Sequence, residues 1–164
     1  MLISHLLSFF AALLIHELGH LAAARVCRVP APEFGLGWGR RLVGFRVGSV
    51  EYKFHALPVG AYVRLDIAEL QQRSISQQVL ILLAGIIINL IAATLTVGTP
   101  FGTINLLLAA TNILPLYQQD GWKCGMVMLR ALLRRKSAVV EWTFTIAGSS
   151  LSLAIIAFQA LRHI

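Results

Sequence analysis

The residues His16-Glu17-Leu18-Gly19-His20 form the most reactive combination in the chain. On a helix, positions four apart share a face, so both imidazoles can reach one metal ion. Neutral imidazole is a natural zinc ligand, and Glu17 between them can serve as general base for water on that ion. The competing reading is a polar cluster that binds a neighbouring helix. The setting disfavours it, because the motif interrupts an apolar run from Ser4 to Val26. Each ionisable group at membrane depth costs about 2–3 kcal/mol on insertion scales, so such groups are seldom kept without a role.

A zinc site with catalytic capacity needs a third protein ligand and an open fourth position. His5 and His163 fall near the outer ends of apolar runs and His55 in a basic loop, so none is well placed. Asp120 is better placed. At about 1.5 Å per residue it lies roughly 28 Å from Phe101, whereas His16 and His20 lie about 18–24 Å from Ser4 on an element running the other way. The three side chains therefore reach a similar depth, enough for one zinc ion per chain. Cys124 is a competing ligand, and Asp120-Gly121 also reads as a turn at the membrane surface. Upstream, Pro115 opens the helix and lets the following segment bend. Asn112 can donate to a developing oxyanion or a substrate carbonyl, or it can bond a neighbouring helix. Asn89, four residues after Gly85, reads as packing glue in a small-residue interface.

The elements that must position these groups are membrane helices. Of the 164 residues 57% are hydrophobic and 13% charged, about half the charge of a soluble domain, and the mean hydropathy is +0.76. Apolar runs predict four spans at about 4–26, 79–97, 101–120 and 139–161, with a further helix over Trp122 to Leu133. The length suits one domain over 1–164. Two isolated cysteines, Cys27 and Cys124, exclude a disulfide framework.

The net charge of +7 does not point to nucleic acid, since no basic-aromatic surface pattern accompanies it. Eight Lys/Arg lie between Arg25 and Arg73, and Arg134, Arg135 and Lys136 follow later. By the positive-inside rule both stretches are cytoplasmic, with both termini on the other side and the reactive cluster near the cytoplasmic face. The first basic stretch is not helical in character. Its glycines and β-branched or aromatic alternation over about 33–65 predict a small β-hairpin or sheet beside the membrane. The fold class is thus an all-α membrane bundle with a membrane-associated β-hairpin.

In combination these features resemble the site-2 protease family of intramembrane zinc metalloproteases. His16-Glu17-xx-His20 sits on the first apolar helix, and Asn112-Ile-Leu-Pro115 with Asp120-Gly121 sits on a later one. Gly85-Ile-Ile-Ile-Asn89 resembles the family's second-helix Gly-xxx-Asn element. Leu57-Pro58-Val59-Gly60-Ala61-Tyr62-Val63 resembles the end of its membrane-associated hairpin. The resemblance implies His16, His20 and Asp120 as zinc ligands, Glu17 as catalytic base, and Asn112 as a substrate or transition-state contact. The family's hairpin edge is thought to pair with an extended substrate, which implies substrate contacts at Pro58, Gly60 and Tyr62, and Asn89 in the second-helix element is a further candidate substrate contact. Gln118-Gln119, Trp122 and Ala61 depart from the family pattern, as does the lack of a proline after Gly85. These departures leave the metal set intact.

The expected function is zinc-dependent hydrolysis of peptide bonds in transmembrane segments, as in regulated intramembrane proteolysis. The expected partners are a transmembrane protein or peptide, the lipid bilayer and an accessory membrane protein. A bacterial inner membrane suits so small a core, which has no room for a PDZ or CBS domain. One alternative is a catalytically inactive zinc-binding chaperone or regulator, which would have no need of Glu17. Another is a metal transporter, which would spread its acidic and histidine residues across the bilayer depth.

Overall fold

The computed structural model describes residues 2–133 and 137–161. Arg134, Arg135, Lys136 and His163 lie outside the described residues. In chain order come α1 (Leu2–Val26), β1 (Glu33–Val47), β2 (Val50–Arg64), α2 (Ile67–Gln72), α3 (Ile75–Leu95), α4 (Pro100–Asn112), α5 (Asp120–Leu133) and α6 (Ala138–Leu161). The chain divides into two compact units, 1–110 and 111–164.

Three helices are long and apolar enough to cross a bilayer, at Ile3–Val26, Ile75–Leu95 and Ala138–Ile155. The fourth expected span, over 101–120, is not one helix. α4 ends at Asn112 after 13 residues, about 20 Å at 1.5 Å per residue, against a hydrocarbon core of about 30 Å. Pro115 is the physical reason. It lacks the N–H that would continue the ladder and disfavours helical backbone at Leu114. Gln118 then takes a left-handed φ of 74°, and helix resumes only at Asp120.

In the first unit, α1 and α3 pack through small residues. The buried stripe of α1 includes Ala12, His16, His20, Ala23 and Ala24, and that of α3 includes Ile81, Ala84, Ile86, Asn89 and Ala93. A Cβ on Gly19 would lie 2.8 Å from the Ala84 carbonyl oxygen and 3.3 Å from the Gly85 Cα. Only glycine allows that approach. Leu18, Ile87, Leu90 and Ile91 are exposed on the same two helices, as a lipid-facing surface requires. Ser74 and Gln77 form a reciprocal capping box at the start of α3.

The sequence-predicted hairpin is present as β1 and β2, joined at Gly48, which takes φ 60°. Both strands bend. Val43–Val47 pairs with 50–54, and Glu33–Leu36 lies between 51–54 on one side and Ala61–Arg64 on the other. Ala61–Arg64 is therefore an edge. The base docks on α1, where Leu21 packs with Ala31, Phe34 and Val50. The far end exposes Trp38, Leu42, Val43, Phe45 and Val47 next to the exposed Arg40, Arg41 and Arg46.

Glu33 ties the hairpin together. Lys53 Nζ donates to one carboxylate oxygen at 2.5 Å and the Tyr62 hydroxyl donates to the other. These two bonds hold the Glu33 carboxyl below its usual range, while burial and the bond to Glu33 push the Tyr62 phenol up to about 12. For a phenol the raised value favours the protonated, folded form. Its contribution is complete below about pH 10, the ordinary tyrosine value, and is lost as the pH climbs through about 12. Absorbance at 295 nm should therefore contain a tyrosinate component near pH 12 that vanishes in Tyr62→Phe. The same component rising near pH 10 would show that the Glu33–Tyr62 bond is absent.

The second unit takes in the last two residues of α4, the non-helical segment 113–119, α5 and α6. Arg130 on α5 donates two hydrogen bonds of 2.8 Å to Glu141 on α6. Trp122 stacks on Phe144 and meets Tyr117 edge-on. Glycines make the room. A Cβ on Gly148 would lie 3.0 Å from the Trp122 ring, and one on Gly125 would lie 2.9 Å from Phe144.

Candidate metal centre

His16 and His20 are buried on α1, one turn apart. Their Nε2 atoms lie 3.2 Å apart and their rings stand at 79° to each other. Two nitrogen ligands on one tetrahedral zinc, each at about 2.0–2.1 Å, are separated by about 3.3 Å, so the pair already has the spacing of one edge of that tetrahedron. His20 is held by a partner from α3, since its Nδ1 lies 2.7 Å from the Ile81 carbonyl oxygen. A carbonyl can only accept, so Nδ1 carries the proton and Nε2 keeps its lone pair for a metal.

Gly85 supplies the test of fit. A Cβ there would lie 2.5 Å from His20 Nε2 and 2.7 Å from His16 Nε2. The space in front of both ligand atoms is thus open only because position 85 has no side chain. The same absence lets His20 reach the Ile81 carbonyl one turn back along α3. Two imidazoles facing a cleared space fit zinc. Glu17 follows His16 on α1 and is half-buried.

Asp120 stands in the second unit, as the first residue of α5. Its side chain is 7% exposed and accepts a hydrogen bond of 3.0 Å from Lys123. Gly121 fixes how the chain reaches it. A Cβ on Gly121 would lie 2.1 Å from the Ile113 carbonyl oxygen and 2.8 Å from that of Leu114, so the segment after Asn112 folds directly against the start of α5. This is what the Asn112-Ile-Leu-Pro115 and Asp120-Gly121 motifs accomplish together. Asn112 itself is half-buried at the last position of α4.

Asn89 lies one turn beyond Gly85 and is fully buried. Pro58, Gly60 and Tyr62 lie on β2; the Pro58 side chain is outside the described residues. Gly60 takes φ 85° and lies against the Trp38 indole, where a Cβ would come within 2.9 Å of Nε1. Tyr62 lies across Gly35 and bonds Glu33. Both therefore have work inside the hairpin. Sequence reasoning missed the Ile81 carbonyl and the clearing role of Gly85. The second has a signal in the sequence, a glycine facing another glycine within the histidine motif, whereas a backbone carbonyl has none.

Comparison with known proteins identifies the family. The profile of peptidase family M50 matches residues 4–100, more than half of the chain. A protein of Clostridium perfringens provisionally named a zinc metalloprotease is 34% identical over 96 residues, which cover 54% of this chain and 29% of that one. A similarly named protein of Chlamydia trachomatis is 49% identical over 53 residues, 32% of this chain and 9% of that one. A third, from Synechocystis, is 34% identical over 91 residues, 48% of this chain and 25% of that one. The chain spans less than a third of the length of these relatives. With three apolar helices of spanning length and a histidine pair spaced for zinc, the chain belongs to peptidase family M50, the site-2 protease family.

Proposed function

We propose that the chain is the catalytic core of a zinc endopeptidase that hydrolyses peptide bonds within transmembrane segments of other proteins. The observation that carries this reading is the pair of Nε2 atoms 3.2 Å apart in front of Gly85. Asp120 completes the ligand set with His16 and His20, and one ion is held per chain. Asp120 is buried as the first residue of α5, and a carboxylate is a hard-oxygen ligand of the kind zinc takes beside two imidazoles.

Zinc held there would polarise a carbonyl and acidify water. Glu17, next to His16 in sequence, would take a proton from the attacking water and return it to the leaving amine. The Asn112 amide donates to a substrate or transition-state oxygen. The hairpin edge Ala61–Arg64 offers unpaired backbone groups to an extended substrate, with Pro58, Gly60 and Tyr62 on that strand. The orientation proposed is the one the basic residues predict, with the centre towards the cytoplasm and both termini on the other side of a bacterial inner membrane. A transmembrane protein or peptide is the substrate, and an accessory membrane protein is a further partner.

Zinc content per chain in detergent-purified protein tests the ligand set. About one zinc in the wild type, lost in both His16→Ala and Asp120→Ala, is the expected result. Zinc retained at full occupancy in Asp120→Ala would remove that residue from the set. Zinc at full occupancy without cleavage of any transmembrane peptide would favour an inactive zinc-binding relative instead.

A further inference from the structure

α5 and α6 border an open cavity of about 320 Å³, at the small end of the range for ligand sites. Its walls include Tyr117, Trp122, Met126, Arg130, Glu141 and Trp142, so aromatic rings surround a single ion pair. All of these residues belong to the second unit, and none is a residue of the metal centre.

The depth of the cavity follows from α6. Its apolar window of spanning length begins at Ala138, so Glu141 and Trp142 lie within about 6 Å of the end of the span at 1.5 Å per residue. That is the level of lipid headgroups, where tryptophan and tyrosine concentrate. Trp142 also belongs to an exposed apolar stripe. Val139, Trp142, Ile146 and Leu153 are all exposed, and their spacing keeps them on one helix face over about 21 Å. A cavity at headgroup depth that runs into an apolar stripe has the outline of a phospholipid, with a polar end and a chain.

Charge selects among lipids. A guanidinium carries five N–H donors. Arg130 gives two of them to Glu141, each at 2.8 Å, and no other hydrogen bond from Arg130 is present among the described residues. The remaining donors can meet a phosphate without breaking the pair. Glu141 offsets the charge of Arg130, but Arg134, Arg135 and Lys136 lie between the two in sequence. Residues 130–141 therefore carry four basic groups against one acidic group. That surplus favours a lipid of net negative charge over a zwitterionic one.

We propose that this cavity binds an anionic phospholipid, with the phosphate on Arg130 and an acyl chain along the stripe from Val139 to Leu153. The site shares no residue with the metal centre, and the proposal does not depend on the proteolytic reading.

The test places the full chain in phosphatidylcholine nanodiscs in which a minor fraction of the lipid is brominated on its acyl chains, so that it quenches tryptophan on contact. The brominated lipid is phosphatidylglycerol in one sample and phosphatidylcholine in the other, at equal mole fraction. The emission of Trp142 is the difference between the wild type and Trp142→Phe. The expected result is association of phosphatidylglycerol with Trp142 about fivefold stronger than that of phosphatidylcholine, the preference one basic group near the surface confers. The preference should vanish in Arg130→Gln/Glu141→Gln, which keeps the net charge and two groups able to hydrogen-bond each other. It should persist in Arg46→Gln, on the hairpin. Equal quenching by the two lipids in the wild type would overturn the proposal whatever the variants do. A preference that survives in the double variant would overturn it too, because Arg130 would not be the donor. Loss of the preference in Arg46→Gln would reduce it to an effect of overall charge, with the same consequence. Absence of quenching by either lipid would mean that protein rather than lipid covers the cavity, and would equally overturn it.

Discussion

Gly85→Ala is expected to empty the metal centre while leaving the helices folded. The added methyl would lie 2.5 Å from His20 Nε2 and 2.7 Å from His16 Nε2, inside the space any bound ion must occupy. The imidazoles have little freedom to withdraw. His20 is tethered to the Ile81 carbonyl at 2.7 Å, and the close approach of Gly19 to Ala84 and Gly85 holds α1 against α3. Overpacking of this kind costs about 1–3 kcal/mol of stability, which a membrane helix pair survives, whereas the coordination space is lost outright. Zinc per chain should fall below about one-tenth of the wild-type value, in line with the roughly 10–100-fold loss typical of disturbing a residue behind the ligands. Ile87→Ala, on the exposed face of α3, should keep its zinc. Full zinc occupancy in Gly85→Ala would mean that the two Nε2 atoms do not share an ion on this side.

Glu17→Gln is expected to separate metal binding from chemistry. Glutamine has nearly the same shape but cannot accept the proton of the attacking water, so cleavage of a transmembrane peptide should fall about 10²–10⁴-fold, the usual contribution of a general base. Zinc content should stay at the wild-type level, because the ligand atoms proposed belong to His16, His20 and Asp120. Cleavage within a few-fold of wild type would assign the base elsewhere. Loss of zinc together with activity would instead place Glu17 among the ligands.

The two experiments probe different levels of organisation, and this is reflected in how each residue became visible. Glu17 and its flanking histidines are legible in one dimension. Their roles depend on side-chain chemistry and on the helical repeat, and both are local properties of the chain. The three spanning helices follow in the same way from long apolar runs, and the hairpin from glycine and β-branched spacing. The interrupted span was partly legible, since Pro115 marks where a helix cannot continue. That α4 stops at Asn112, three residues before the proline, depends on backbone geometry which the single residue does not dictate.

What only the tertiary structure decided is everything that depends on the absence of an atom or on a backbone group. Gly19, Gly85 and Gly121 look alike in sequence, yet one admits a neighbouring helix, one clears the space before two imidazole nitrogens, and one lets residues 113–114 fold against α5. The Ile81 carbonyl that orients His20 has no side-chain signature at all. Asn89 reads as helix glue in sequence, yet its carboxamide has no hydrogen-bond partner among the described residues, because whether an amide is satisfied is a property of its surroundings. The sequence by itself determined which chemistry the chain can perform, through residues whose reactivity is intrinsic. The fold decided where that chemistry has room, because space and hydrogen-bond satisfaction exist only between segments brought together from a distance.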